Sequence, residues 1–358
     1  MLEKRESGSL ADSLLGCLWG AAVGDAWGLP YEGLSRRRQL KLRPELIGYH
    51  FFLGRGLVSD DAEHALLTAR ALAASAGDPE KFGRGLAWKL RFWLLGLPAG
   101  VGLATLRSLL KLWLGFPYTR SGVFSAGNGP AMRSAIIGAA FGPDPVRLKE
   151  LVKVSTRITH IDPKAEAGAL AVALAAHQSS LGRPDPEEYL SALTDLLKPE
   201  AGELLSLMRR AAEAAVAGRS TEDFAAELGL ERGVTGYMYH TVPVALHAWL
   251  SHPADFQAAV SSAIRCGGDT DTVASIVGAI VGAGVGPAGL PAPLLDNLWL
   301  WPWRAGHLEA LARSLAEAVE TGRPRSSPGP FFPAVWVRNL FFLALVLAHG
   351  FRRLLPPY

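Results

Sequence analysis

The sequence predicts an all-α protein, and three observations carry that expectation. Apolar residues recur at three- and four-residue intervals from one end of the chain to the other. Alanine and leucine dominate, while β-branched residues are comparatively sparse. No stretch alternates apolar and polar residues with the period of two that a half-buried strand shows.

Leu14, Leu15, Leu18, Ala21, Ala22 and Ala26 form the first apolar stripe, and Ala65, Leu66, Ala69, Leu72 and Ala73 form another. Further helical windows follow at 79–95, 103–114, 130–141, 145–157, 163–180, 186–197, 200–217, 236–251, 254–265, 271–284, 304–320 and 334–352. Turn-forming runs such as Pro98-Ala99-Gly100, Gly182-Arg183-Pro184, Gly286-Pro287 and Gly322-Arg323-Pro324 separate them, each short enough to join neighbouring helices. The windows differ in length and in their connections, so no solenoid repeat is present. One compact domain of a dozen or more helices is expected over residues 1–325. Residues 326–358 read as a serine- and proline-rich tether and an apolar helix packed on the same domain.

A formal charge of +3 over 358 residues, with no long run of Lys or Arg, is too weak a footprint for nucleic acid, so no nucleic-acid partner is expected. Cys17 and Cys266 lie far apart in helix-like surroundings and read as small core residues, which suits a reducing cytoplasm. Leu10 to Gly28 is fairly apolar but is interrupted by Asp12, Asp25 and glycines, against an export signal. Leu340 to Ala348 is wholly apolar yet spans about half of the roughly 20 residues that cross a membrane. It reads as a buried terminal helix, with no transmembrane segment expected. The Trp-rich stretches 88–113 and 299–303 read as core or rim packing.

Two acidic clusters carry the chemistry. In Gly267-Gly268-Asp269-Thr270-Asp271-Thr272, the glycines allow a tight turn and the acidic residues open a helix of Ala, Val, Ile and Gly that must be buried all round. One aspartate is accounted for by capping; two aspartates and two hydroxyls exceed that need. Ser59-Asp60-Asp61 before the helix at 62–74 has the same form and, taken alone, reads as a helix cap. If both helix starts met they would repel without cations, and carboxylate and hydroxyl oxygens are what Mg²⁺, Mn²⁺ or Ca²⁺ prefer. A third element, Ser125-Ala126-Gly127-Asn128-Gly129-Pro130, would let backbone N–H groups and a helix starting at Pro130 face a phosphate; a structural turn explains it equally well.

In this order, and with three further segments, the chain resembles the ADP-ribosylglycohydrolase family, which includes the dinitrogenase-reductase-activating glycohydrolases. The further segments are the opening stretch Gly16 to Glu32 with Asp25 and Glu32 at acidic positions, Thr159-His160 before a buried helix, and Gly236-Tyr237 to Leu246. The resemblance implies an orthogonal multi-helix bundle with two Mg²⁺ or Mn²⁺ ions at the base of an ADP-ribose cleft. Carried over by position, Ser59, Asp60, Asp61, Asp269, Asp271 and Thr272 would hold the metals. Glu32, Asp60, Asp61 and Asp269 would be catalytic. Ser125, Gly127, Asn128, Gly129, His160 and Tyr237 would bind substrate, namely ADP-ribose on a protein side chain or a small conjugate. The family often has Thr after the paired aspartates where this chain has Ala62, which puts the metal count in question. His64, on the same helical face as Asp60, reads as a packed or supporting histidine rather than a ligand. Two other functions fit the acidic centre: an ADP-ribose binder without turnover, and a two-metal phosphoester hydrolase.

Overall fold

The computed structural model describes residues 9–182, 184–197 and 201–356. Among them are seventeen α-helices and four two-residue strands. In chain order they are α1 Leu10–Gly28, β1 Leu34–Ser35, α2 Arg36–Leu42, β2 Gly56–Leu57, α3 Asp60–Ser75, α4 Pro79–Leu95 and α5 Leu103–Trp113. Next come α6 Ala135–Phe141, α7 Pro145–Arg157, α8 Pro163–Ser180, α9 Pro186–Leu196, α10 Gly202–Val216 and α11 Thr221–Glu227. The chain continues through α12 Met238–Ser251, α13 Phe256–Arg265, β3 Gly267–Gly268, α14 Thr270–Val285, α15 Ala292–Asp296, β4 Leu298–Trp299, α16 Ala305–Thr321 and α17 Phe332–Arg353. The multi-helix bundle expected from sequence is what the chain forms.

Local chemistry sets many of the starts. Asp78-Pro79, Asp144-Pro145, Asp162-Pro163 and Asp185-Pro186 each place a capping aspartate before a proline in the first turn, so α4, α7, α8 and α9 begin in the same way. Ser9 opens α1 through a reciprocal pair with Asp12, the two side chains each satisfying a backbone N–H of the other's end.

The core is organised around α14, which is buried on nearly every side and packs on α1, α8, α12 and α13. Its contact with α1 is a glycine seam. Gly16, Gly20, Gly24 and Gly28 recur every four residues on α1 and meet Gly286, Gly282, Gly278, Ala274 and Thr270 at backbone distance. A Cβ built on Gly20 would lie 2.0 Å from the Gly278 carbonyl oxygen, and one on Gly24 would lie 2.1 Å from that of Ala274. Backbone-to-backbone packing of this kind fixes the two helices closely along their whole length. The carboxyl end of α1 is therefore held against the start of α14.

Several expectations need correction. The window at 130–141 is a short 3-10 turn over Ala131–Arg133 followed by α6, so no helix starts at Pro130. Short helices α2, α11 and α15 were not legible from periodicity, because five to seven residues hold at most two turns of pattern. The windows beginning at 236 and 254 start two residues later, at Met238 and Phe256; part of the window at 200–217 lies outside the described residues. The terminal helix covers the expected window at 334–352, running for 22 residues, but it is not the buried element expected: only Arg338, Asn339 and Phe342 are buried. The segment before it is tied down, with the Arg325 N–H donating to the Ala73 carbonyl at 2.8 Å and Gly329 lying under the Arg70 guanidinium.

Candidate functional site

The two acidic helix starts converge. Ser59 caps α3, its hydroxyl accepting from the Asp61 N–H at 3.3 Å and donating to Asp61 Oδ2 at 3.2 Å. Thr272, in the first turn of α14, donates to that same Oδ2 at 3.2 Å. A third carboxylate arrives from α1. Asp25 Oδ2 accepts from the N–H groups of Ser59 at 2.8 Å and Ala62 at 3.0 Å, so it caps α3 from across the interface. One carboxylate oxygen from each of Asp25, Asp61 and Asp271 lies within 4.8 Å of the others. The Oδ1 atoms of all three are buried without a hydrogen-bond partner.

Three buried carboxylates this close cannot all be ionised unaided. Burial, followed by the charges of Asp60, Asp25 and Asp269, pushes the Asp61 carboxyl well above its ordinary value. Asp271 is raised in the same way, by burial and then by Glu32, Asp61, Asp269 and Asp25. Asp25 is raised by burial to about 7, despite the two N–H groups that oppose the shift. Asp60 is raised by burial and by Asp25 and Glu63. Orphaned oxygens in an all-oxygen set fit a hard divalent cation, which would neutralise the cluster. The sign for the metal-free protein follows. A carboxyl that binds its proton more tightly folded than unfolded contributes stability below its unfolded pKa, and that contribution is lost as pH rises through the folded pKa. Metal-free protein is therefore expected to lose stability from about pH 4 through about pH 7, by on the order of 4 kcal/mol from Asp25 alone. Chemical denaturation in EDTA at several pH values measures this, and saturating Mg²⁺ should flatten the profile.

Glu32 follows the short turn at Leu29–Tyr31 and is open to solvent at the edge of the cluster. The protein around it and the charge of Asp269 raise its pKa, while Arg353 works against that shift. Its position is fixed from both sides: the Gly33 N–H donates to the Gly268 carbonyl at 2.7 Å, and β1 pairs antiparallel with β3. The turn before α14 thus brings Glu32 and Asp269 to one rim. Gly267 and Gly268 both have positive φ there, as the tight turn requires. Asp269 makes no side-chain cap of its own helix; its Oδ2 accepts instead from Asn128 Nδ2 at 2.6 Å.

That bond places the glycine loop beside the acids. Asn128 Nδ2 also reaches Thr241 Oγ1 at 2.9 Å, and the Asn128 N–H donates to the Gly236 carbonyl at 2.9 Å. The Gly127 N–H donates to Ser125 Oγ at 3.2 Å. Two of the amides expected to face an anion are therefore engaged within the protein. His160 lies directly beneath the loop: Cβ atoms added at Gly127 or Gly129 would come within 3.0 and 3.2 Å of its ring. Burial, with Arg133 nearby, holds His160 neutral down to about pH 3. Tyr237 sits beside the loop through the bridge between residues 127 and 237, but its hydroxyl accepts from Lys164 Nζ at 2.9 Å. His64 packs edge-on against Trp93 at 4.4 Å, with Arg133 3.5 Å away, as expected of a packed residue.

Two contributors escaped the sequence reading of the site. Asp25 was noted as acidic but not placed among the ligands, although a carboxylate inside an otherwise apolar helix is itself the signal. Arg133 is fully buried beneath the loop and donates to the Ser155 hydroxyl and carbonyl, to Thr159 Oγ1 at 2.6 Å and to the Gly129 carbonyl at 3.3 Å. Its place in a short helical run gave no hint of that role.

Fold and cluster together define an all-helical protein with a buried acidic centre opening beside a glycine loop. A sequence profile described as ADP-ribosylglycohydrolase matches residues 6–325. The chain belongs to the ADP-ribosylglycohydrolase family and is a hydrolase of that type. It is 26% identical over 303 residues to the ADP-ribosyl-[dinitrogen reductase] glycohydrolase of Rhodospirillum rubrum, covering 81% of this chain and 91% of the relative. It is 27% identical over 319 residues to mouse ADP-ribosylhydrolase ARH3, covering 77% and 84%. A solved structure titled ADP-ribosylglycohydrolase-related protein complex superimposes with a TM-score of 0.60 at 29% identity, covering 87% of this chain and 99% of that one.

Proposed function

We propose that this protein hydrolyses the glycosidic bond joining ADP-ribose to a protein side chain or a small conjugate, using a pair of Mg²⁺ or Mn²⁺ ions. The observation that carries the reading is the meeting of Asp25, Asp61 and Asp271 through orphaned oxygens, with Asp269 and Glu32 on the adjoining rim. Asp25, together with Ser59, Asp60, Asp61, Asp269, Asp271 and Thr272, would hold the ions. Bound there, they would supply Lewis acidity toward ribose hydroxyls and a water of lowered pKa.

The chain's own residues do the rest. Asp61 Oδ2 is occupied by Ser59 and Thr272, which leaves the buried Oδ1 free for an ion. In hydrolysis, the water oxygen bonds to the anomeric carbon, the bond to the leaving atom breaks, and one proton passes to the departing group. Glu32 is open to solvent and its pKa is raised by the surrounding protein and by Asp269, so it is suited to hold and release that proton or to position the sugar. Asp60 and Asp61 are the other proton carriers in reach, and Asp269 keeps its carboxylate aligned through Asn128. Ser125, Gly127, Asn128 and Gly129 would line the pyrophosphate, with His160 supporting the loop from below and Tyr237 flanking the adenosine half. Two free, buried cysteines suit the cytoplasm, where we place the enzyme.

Release of ADP-ribose from an ADP-ribosylated protein, followed with and without EDTA and in Asp269→Ala, tests this. Turnover should disappear in both cases and return to the wild type on adding Mn²⁺. Tight binding of ADP-ribose without any release would favour the non-catalytic reading instead.

A further inference from the structure

The profile match ends at residue 325, and α17 lies beyond it. Soluble helices turn one apolar stripe inward, as α17 does with Phe341, Phe342, Leu345 and Val346 beside Phe51 and Leu57, but α17 exposes a second apolar stripe as well. Val337, Leu340, Leu343, Leu347 and Phe351, spaced three and four apart, are all exposed, four of them by more than half of their surface. The inward side carries the polar contacts that dock the helix on the domain. Arg338 pairs with Glu63 at 3.2 Å and donates to the Val58 carbonyl, Asn339 donates to the Gly96 carbonyl at 2.7 Å, and a His349 ring nitrogen lies 2.7 Å from the Phe51 carbonyl.

The stripe continues onto α4 and α5. Phe332 stacks edge-on with Trp336 at 5.4 Å and with Phe92 at 6.3 Å; Phe92 in turn meets Trp88 at 6.0 Å and Trp113 at 6.3 Å. Trp88, Phe92, Trp113 and Trp336 are exposed, so these rings sit at the rim rather than in the core.

Charge decides what covers this face. The chain has no Asp or Glu from Lys81 to Pro143 or after Glu320, and although Arg133 and Arg338 are buried there, Arg107, Arg120, Arg323 and Arg352 are exposed. Among the described residues, the bordering acids Glu63, Glu80 and Glu317 are already paired, with Arg338, Arg84 and Arg325. A second copy of the chain meeting this face would oppose cations to cations without an acid to pair them, which disfavours self-association. Exposed aromatic rings, an apolar stripe and cations without acids are the features of a surface that lies in the interface of an anionic bilayer. We propose that the outer face of α17 with α4 and α5 docks the protein peripherally on anionic lipid membranes.

Flotation of the full-length protein with vesicles tests it, comparing phosphatidylcholine alone with phosphatidylcholine plus phosphatidylglycerol. Wild type should float with the anionic vesicles and about tenfold less with the neutral ones, and should be released by high salt. Leu340→Glu with Leu347→Glu should lower the bound fraction at least about tenfold. Arg107→Glu with Arg352→Glu should lower it on anionic vesicles while leaving the apolar stripe intact. Unchanged thermal melting and unchanged hydrolysis of a soluble substrate would show that both variants are folded. The proposal is overturned by failure to float with either vesicle, or by equal flotation on neutral ones. A dimer that Leu340→Glu with Leu347→Glu dissociates would overturn it, as would resistance to alkaline carbonate extraction. The flotation, oligomer and melting outcomes do not depend on the hydrolase reading.

Discussion

Asp271→Asn is expected to lower turnover by at least about a hundredfold, because even the supporting partners of metal ligands cost 10–100-fold when removed. The same substitution should leave the metal-free fold as stable as wild type or more so. Asp271 Oδ1 is buried without a partner, and neighbouring charges already oppose its ionisation, so a neutral amide of the same shape removes a cost rather than a contact. Wild type at a hundredfold excess of metal over Kd should gain about 2.7 kcal/mol, and the variant should lose most of that gain. Melting with EDTA and with Mn²⁺, alongside the turnover assay, separates the two effects. Loss of activity together with a collapse of the metal-free fold would mean that Asp271 is structural.

Gly20→Val should produce the largest loss of stability, about 3 kcal/mol or more. The added Cβ would lie 2.0 Å from the Gly278 oxygen and 2.7 Å from its carbonyl carbon, both backbone atoms that cannot step aside. Relief requires α1 and α14 to separate, which also draws Asp25 away from Asp271. Gly85→Ala in α4 is the contrasting case. Nothing lies within 4 Å of the new methyl, and replacing a helical glycine with alanine should stabilise by about 0.5–1 kcal/mol. Urea denaturation of both variants reads the difference, and equal midpoints would show that the glycine seam does not hold the helices together.

Periodicity was enough to find the long helices, because burial of one face repeats over several turns in windows such as 145–157 and 163–180. It failed for α2, α11 and α15, where the pattern is too short, and it missed that α17 exposes a second apolar stripe, since a stripe records hydrophobicity but not direction. The pairing of helix starts at 60 and 270 was legible because hard oxygen ligands are costly to bury and so stand out. Asp25 entered the site only through packing: the four-residue glycine repeat brings the end of α1 to α14, a tertiary consequence that a pass along one helix does not show. Arg133 is a similar case, since besides the nearby Gly129 its partners, Ser155 and Thr159, lie more than twenty residues away in sequence.

The account rests on cations being held where α1, α3 and α14 meet. Calorimetric titration of Mn²⁺ into EDTA-stripped, full-length protein measures this directly. Saturable binding that is abolished in Asp61→Asn is the expected result. An absence of binding heat at millimolar Mn²⁺, or binding that Asp61→Asn leaves unchanged, would contradict it.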